Sequence, residues 1–394
     1  MTGPNPRPGD ALREHNRARL LAALDAGRGS TRADLGAATG LARSTVTDLV
    51  AELLHAGRLD EREDPVTPGR RAGRPSRRLW PARDRSLAVG IDLGHRHCRT
   101  GVVDADGTVT LVRATGLDVD SSPEAALALA RDMVGGLLDE LGADRERVRG
   151  AVIGLPAPVD PSRQTVGQGN VLPRWVDRRP GEELEARLGF PVLVENDANL
   201  GALGEIARGA ARGVADVVYV KAATGIGAGI VLGGRLHRGA TGRAGEIGHV
   251  PVDLAGAVCR CGNRGCLETV ASTGQVLEVL QPAHDGPLTV TDVAALTRAG
   301  DPGATRVVRD AGRTIGRVLA DMVNSLNPGA VVLGGELAAA GEPLLEGLCE
   351  SLERFAQPGV LREVAVRLGA LGDDAPLVGA AALVLGAAGA TMGA

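Results

Sequence analysis

Lysine is all but missing from this sequence: Lys221 is the only one among 44 basic residues, and the rest are arginine. With Ala and Gly also abundant, this is the bias of a GC-rich genome, so arginine count alone says little about a polyanionic partner and only its clustering counts. Charge is absent altogether from Ala375 to Ala394. Twelve of those twenty residues are Ala or Gly, which gain little from lipid, so the stretch reads as a closely packed terminal helix and not as a membrane anchor. A secretory leader pattern is lacking, since Met1 to Asp10 is polar and rich in Pro and Gly, and a cytoplasmic protein is expected. Cysteine is sparse, five in all, yet Cys259, Cys261 and Cys266 fall within eight residues. Without secretory features such a cluster points to a metal before disulfides. Cys98 and Cys349 read as ordinary buried thiols.

What is present suits a soluble globular protein, with 44% hydrophobic and 23% charged residues. A chain of 394 residues exceeds one ordinary core, so a small domain and a larger two-lobed one are expected. The net charge of −4 hides an asymmetry: residues 1–85 carry 16 Arg against 11 acidic residues, or +5, and the remainder carries −9. A basic head on an acidic body implies that only the head meets a polyanion.

In the head, apolar residues at 18, 20, 21 and 24 give Arg13 to Ala26 a helical period. Ser30 or Thr31 can cap a second helix through Leu35 to Ala38, Gly40 makes a tight turn, and Ala42 to Ala56 forms a third helix with Val46, Leu49, Val50, Leu53 and Leu54 on one face. Helix, short glycine turn, helix is the helix-turn-helix arrangement, whose last helix enters the major groove. Its start offers Arg43, Ser44, Thr45 and Thr47, short hydroxyls and an Arg suited to phosphates and base edges. Such a hairpin also serves protein contacts, but a strand follows at Gly57-Arg58-Leu59, and Gly69 to Arg85 holds seven Arg against one acidic residue. Arg70, Arg71 and Arg74 surround a Gly-Pro element of the kind that lies in a narrow minor groove; the other reading is a solvated basic linker. Together these features predict a winged helix-turn-helix bound to double-stranded DNA.

From Leu87 the pattern becomes α/β. An apolar strand ends in Asp92 and Gly94, a second covers Thr100 to Val103, and a third begins at Val109. Helix (Pro123 to Gly142) and strand (Gly150 to Leu155) signals then alternate. A second glycine unit runs through Thr224, Gly225 and Gly227, a hairpin loop bare enough to approach phosphate, and a third ends a strand at Gly334-Gly335, which could admit a flat base. Cys259, Cys261 and Cys266, with His249 ten residues before the first, supply one Cys₃His tetrahedron, right for a structural zinc with no open position. Carboxylates and amides at Asn196, Asp197, Glu246 and Glu268 suit bidentate hydrogen bonding of vicinal hydroxyls.

Repeated strand, glycine turn, strand units resemble the two-lobed actin-like ATPase (ribonuclease-H-like) fold. With the stretches Val194-Glu-Asn-Asp-Ala-Asn199, Gly245-Glu-Ile-Gly-His-Val-Pro251 and Cys259 to Glu268, nearly the whole chain resembles the ROK family of repressors and sugar kinases. The resemblance implies sugar binding by Asn196, Asp197, Glu246, His249 and Glu268, with Asn170 as a further contact, and Asp197 as the general base of a kinase. It also implies zinc on His249, Cys259, Cys261 and Cys266. One departure is visible: the family's Asp-x-Gly-Gly-Thr phosphate turn is here Asp92-Leu93-Gly94-His95-Arg96, which adds bulk where backbone should meet phosphate, although Arg96 could compensate by charge and Asp92 could hold Mg²⁺. A whole sugar site beside half a nucleotide site resembles the repressor branch. The expected layout is a tail at 1–10, a winged helix-turn-helix at 11–68, a basic wing or linker at 69–85, one lobe from 86–198 with 376–394, and a second lobe at 199–375. The leading reading is a sugar-responsive repressor of carbohydrate genes, acting as a homodimer or homotetramer. The alternatives are an Mg-ATP-dependent sugar kinase with a fused head, and a docking surface for a phosphotransfer protein.

Overall fold

The structure, a computed structural model, describes residues 8–25, 28–63, 77–82, 84–167 and 171–386. It divides into two compact units, 1–85 and 86–394. Among the described residues no helix is long and apolar enough to cross a membrane.

The first unit has three helices, Pro8–Ala22, Arg32–Thr39 and Arg43–His55, and a two-stranded antiparallel sheet, Leu59–Glu63 with Arg77–Pro81. This is the element order of a winged helix-turn-helix. The first helix lies earlier than the periodicity predicts, and its opening turn falls inside the expected 1–10 tail; residues 1–7 lie outside the described residues. A proline suits that first turn, and beyond Ala22 the chain turns at Asp25, whose carboxylate accepts from the Arg28 amide. Thr31, not Ser30, caps the second helix: its hydroxyl accepts from the Asp34 amide, and the Asp34 carboxylate accepts from the Thr31 amide, a reciprocal box. The helices and hairpin bury Leu20, Leu35, Val46, Leu49, Val50, Leu53, Leu59 and Leu79 as one core.

The second unit repeats one topology twice. Three antiparallel strands, Val109–Gly116, His97–Asp104 and Leu87–Gly94, continue into two parallel ones, Val148–Leu155 and Val192–Asn196. The second sheet runs Arg235–Leu236, Ile226–Leu232 and Val217–Ala222 antiparallel, then Ala330–Gly334 and Ala365–Leu368 parallel. The uncharged C-terminal stretch forms the helix Ala375–Leu385, buried from Ala375 to Ala382. It lies against the helix Asp197–Ala207 and the strand Leu87–Gly94, so its small residues serve close packing.

Candidate functional site

Two tight backbone contacts set the rim of a cleft in the second unit. The Ala228 amide donates to the Gly245 carbonyl at 2.8 Å, stitching the segment that carries Glu246 and His249 onto the strand Ile226–Leu232. A Cβ at Gly245 would lie 1.8 Å from the Ala228 carbonyl oxygen, and one at Gly248 would lie 2.2 Å from that of Ile226. The Gly-Glu-x-Gly-His spacing is therefore a packing requirement that aims Glu246 and His249. Asp197 opens the helix Asp197–Ala207, and Asn196 caps it, its side-chain oxygen accepting from the Ala198 and Asn199 amides at 3.0 and 3.1 Å. The cap is braced by buried Glu195, which accepts from Arg238, the Asn196 amide and Asn199 Nδ2.

The cleft encloses about 280 Å³ and is lined by Asn196, Asp197, Glu246, His249 and Glu268 together with Asp92, Gly94, Thr224, Gly225, Gly227 and Gly335. Glu246 is pushed up to about 7, first by burial and then by the charges of Asp197 and Glu268. Crowded carboxylates of this kind are relieved by hydroxyl donors from a ligand.

At the rim, one ligand atom each from His249, Cys259, Cys261 and Cys266 lies within 4.8 Å of the others. The Cys261 and Cys266 sulfurs are 3.6 Å apart, and His249 Nδ1 is 3.6 Å from Cys259 Sγ. A tetrahedral zinc with ~2.3 Å bonds to sulfur separates its sulfurs by about 3.8 Å, so the four donors fit that ion. The set can hold a metal ion. Nδ1 faces the sulfurs, while Nε2 lies 3.7 Å from Glu246 Oε2. Glu268 Oε1 is 3.0 Å from Cys259 Sγ and accepts from Arg260 Nε at 3.3 Å.

The phosphate loops differ from each other. Among the described residues an added Cβ at Gly225 would meet only Glu268 and His95 atoms, at 3.8 and 3.9 Å, so these leave the loop open. At Gly94 it would lie 2.2 Å from His97 Cε1, because the His97 ring covers the backbone that a phosphate would approach. Gly334 is no seat for a flat base: the buried Tyr219 ring fills its bare face, and Gly335 alone of that pair lines the cleft. Arg96 is exposed and does not line the cleft, so no compensating charge comes from it. Trp175, near in sequence to Asn170, is buried in the first lobe's core with its indole N–H on the Val119 carbonyl, 2.9 Å away.

Several lining residues were not singled out by motif: Lys221, His97, Arg99 and Arg260. Lys221 Nζ donates to Asp197 Oδ2 at 2.8 Å and lies 3.8 Å from Asp92 Oδ1. Burial opposes its charge, but the two carboxylates outweigh burial and hold it protonated. Asp92 likewise stays below the usual carboxylate range: burial raises it, and Lys221 and the His97 bond prevail. His95 donates through Nδ1 to Asp120 at 2.8 Å, and Arg260 Nη1 is 3.5 Å from its Nε2. The one signal for Lys221 was its being the sole lysine.

In the first unit Arg43, Ser44 and Thr47 are exposed at the start of the third helix, Thr45 is half-buried, and the Thr47 hydroxyl donates to the Arg43 carbonyl. Arg70, Arg71, Arg74 and Asn170 lie outside the described residues.

The family model that matches is "ROK family", over residues 88–387. The chain belongs to the ROK family. The xylose repressor of Bacillus subtilis is 29% identical, aligned over 90% of this chain and 91% of its own length. The crystal structure of a ROK family transcriptional regulator, a homologue of the Escherichia coli Mlc protein, superposes with a TM-score of 0.70 at 26% identity, over 95% of this chain and 96% of that one. A ROK glucokinase from Streptomyces griseus, solved with glucose and AMPPNP, gives 0.68 at 32% identity over 76% and 99%. Repressor relatives thus span both units of this ROK chain, and the kinase covers about three quarters of it.

Proposed function

We propose that this protein is a sugar-responsive DNA-binding repressor of carbohydrate genes, working in the cytoplasm as a homodimer. The observation that carries this reading is the state of the cleft. Its carboxylate end, with Asp197, Glu246, His249 and Glu268, lines the cleft, while His97 covers the backbone at the first phosphate turn. Vicinal hydroxyls would donate to the carboxylates, with Asn196 and Asn170 beside them. A structural zinc on His249 Nδ1 and the three sulfurs would fix the imidazole so that Nε2–H faces Glu246, serving the metal and the sugar from opposite edges of one ring. The other unit would enter the major groove with Arg43, Ser44, Thr45 and Thr47, while Arg70, Arg71 and Arg74 follow the minor groove. A sugar that prefers one arrangement of the lobes would shift the spacing of paired heads.

A second reading, an ATP-dependent sugar kinase with Asp197 as general base, is favoured by the open loop at Thr224 to Gly227 and by the glucokinase relatives. ADP release from Mg-ATP, measured on zinc-loaded protein over hexoses, pentoses and N-acetyl sugars with Asp197→Ala as control, separates the two. Thermal stabilisation by one sugar without turnover supports the repressor. Turnover lost in the control establishes the kinase.

A further inference from the structure

Lys221 sits on the strand Val217–Ala222, and its register neighbours are Gly227 on one side and Gly334 on the other. With no side chain on either flank, its ammonium reaches across to Asp197 Oδ2 at 2.8 Å and towards Asp92 Oδ1 at 3.8 Å. Asp92 Oδ1 is buried and accepts no hydrogen bond among the described residues, while Oδ2 is taken by His97 Nε2 at 2.9 Å. Two buried carboxylates facing one another offer the oxygen donors a hard divalent cation takes. An ammonium stands between them.

Composition supplies an independent reason. Every other basic side chain among the 44 is arginine, so a lysine here marks a place where a planar guanidinium does not serve. A compact point charge does. A magnesium nucleotide does not fit these residues as they stand: the Lys221 ammonium already stands between the two carboxylates, and His97 lies over Gly94.

We propose that the Lys221 ammonium is a built-in cation, seated between Asp92 and Asp197 where a nucleotide's divalent metal would otherwise bind, so that the cleft reads its ligand without nucleotide. Only the last clause rests on the sugar-binding reading. Lys221 acts as a positioning residue: it pins one oxygen of Asp197 and leaves the other for a ligand hydroxyl.

The test is Mn²⁺ binding, followed by electron paramagnetic resonance, on zinc-loaded full-length chain without sugar and then with added ATP. The wild type is expected to bind no stoichiometric Mn²⁺. Lys221→Ser is expected to bind it about a hundredfold tighter or more, since two buried carboxylates lose their counterion. Adding Asp92→Asn should abolish that gain. Lys221→Gln, which keeps a donor for Asp197 but drops the charge, should behave like Lys221→Ser; melting curves and zinc content report folding. Stoichiometric Mn²⁺-ATP binding by the wild type overturns the proposal, as does a folded Lys221→Ser or Lys221→Gln with no gain. If both variants fail to fold, the wild-type measurement decides alone. Sugar-induced melting shifts in the same samples separate the two ideas: a gain of Mn²⁺ binding with no sugar response keeps the cation assignment and removes the sugar site.

Discussion

Replacing Glu195 by Gln should destabilise the larger unit far more than the loss of one hydrogen bond. Glu195 is 5% exposed, and its carboxylate meets Arg238 Nη2 at 2.7 Å while accepting from the Asn196 amide and Asn199 Nδ2, both at 2.9 Å. Gln keeps the shape but turns an N–H₂ group towards one of these donors and leaves Arg238, itself mostly buried, without its counterion. Removing one partner of a buried pair costs about 3–5 kcal/mol. Removing both, as Glu195→Gln with Arg238→Met, should recover part of this, with a coupling of about 2 kcal/mol. Urea denaturation of the two single variants and the double one gives the numbers. Because Glu195 braces the cap from which Asp197 starts, sugar affinity should fall with the single change and partly return with the double. A cost below about 1 kcal/mol for Glu195→Gln, or strict additivity, would refute the bracing role.

Chelation, or Cys266→Ser, should remove one zinc per chain by mass spectrometry and weaken sugar binding by about tenfold or more, the worth of one fixed charge-assisted hydrogen bond; unchanged sugar affinity would detach the metal from the site. Thr31→Ala should cost the first unit about 1 kcal/mol by removing its capping box, read by thermal melting, and Thr31→Ser should retain most of the stability. His97 is held above its ordinary value of 6.5 mainly by its bond to Asp92, with Glu336 adding and burial and Lys221 opposing. Its raised value makes its stabilisation complete below about pH 6.5 and lost as pH rises through the higher folded value. The stability difference between wild type and His97→Gln should therefore shrink on going to alkaline pH, and a constant difference would exclude the bond.

What was legible in the sequence was local. The His249 and three-cysteine set, the Gly-Glu-x-Gly-His run, a cap at Ser30 or Thr31 and the period of the third helix are short-range signals. The four donors do come together, Thr31 is the one that caps, and the third helix forms. What was not legible depends on how strands pair and on which elements face one another across the cleft. Lys221 reaches Asp92 and Asp197 from a strand of the other sheet, and His97 covers Gly94 because a tight turn pairs the two in register. Arg96 follows the phosphate turn in sequence yet is exposed and off the cleft, because nearness in sequence does not say which face of an element a side chain takes. The lone lysine was in plain view, but its meaning lay in two carboxylates, one from a strand and one from the start of a helix.

The most direct measurement is fluorescence anisotropy of double-stranded DNA, enriched from a random pool by the zinc-loaded protein, with and without the sugar that raises its melting temperature. That sugar should change DNA affinity by about tenfold or more, with no ADP formed when Mg-ATP is added. A sugar that binds tightly yet leaves DNA affinity unchanged would contradict a sugar-responsive repressor.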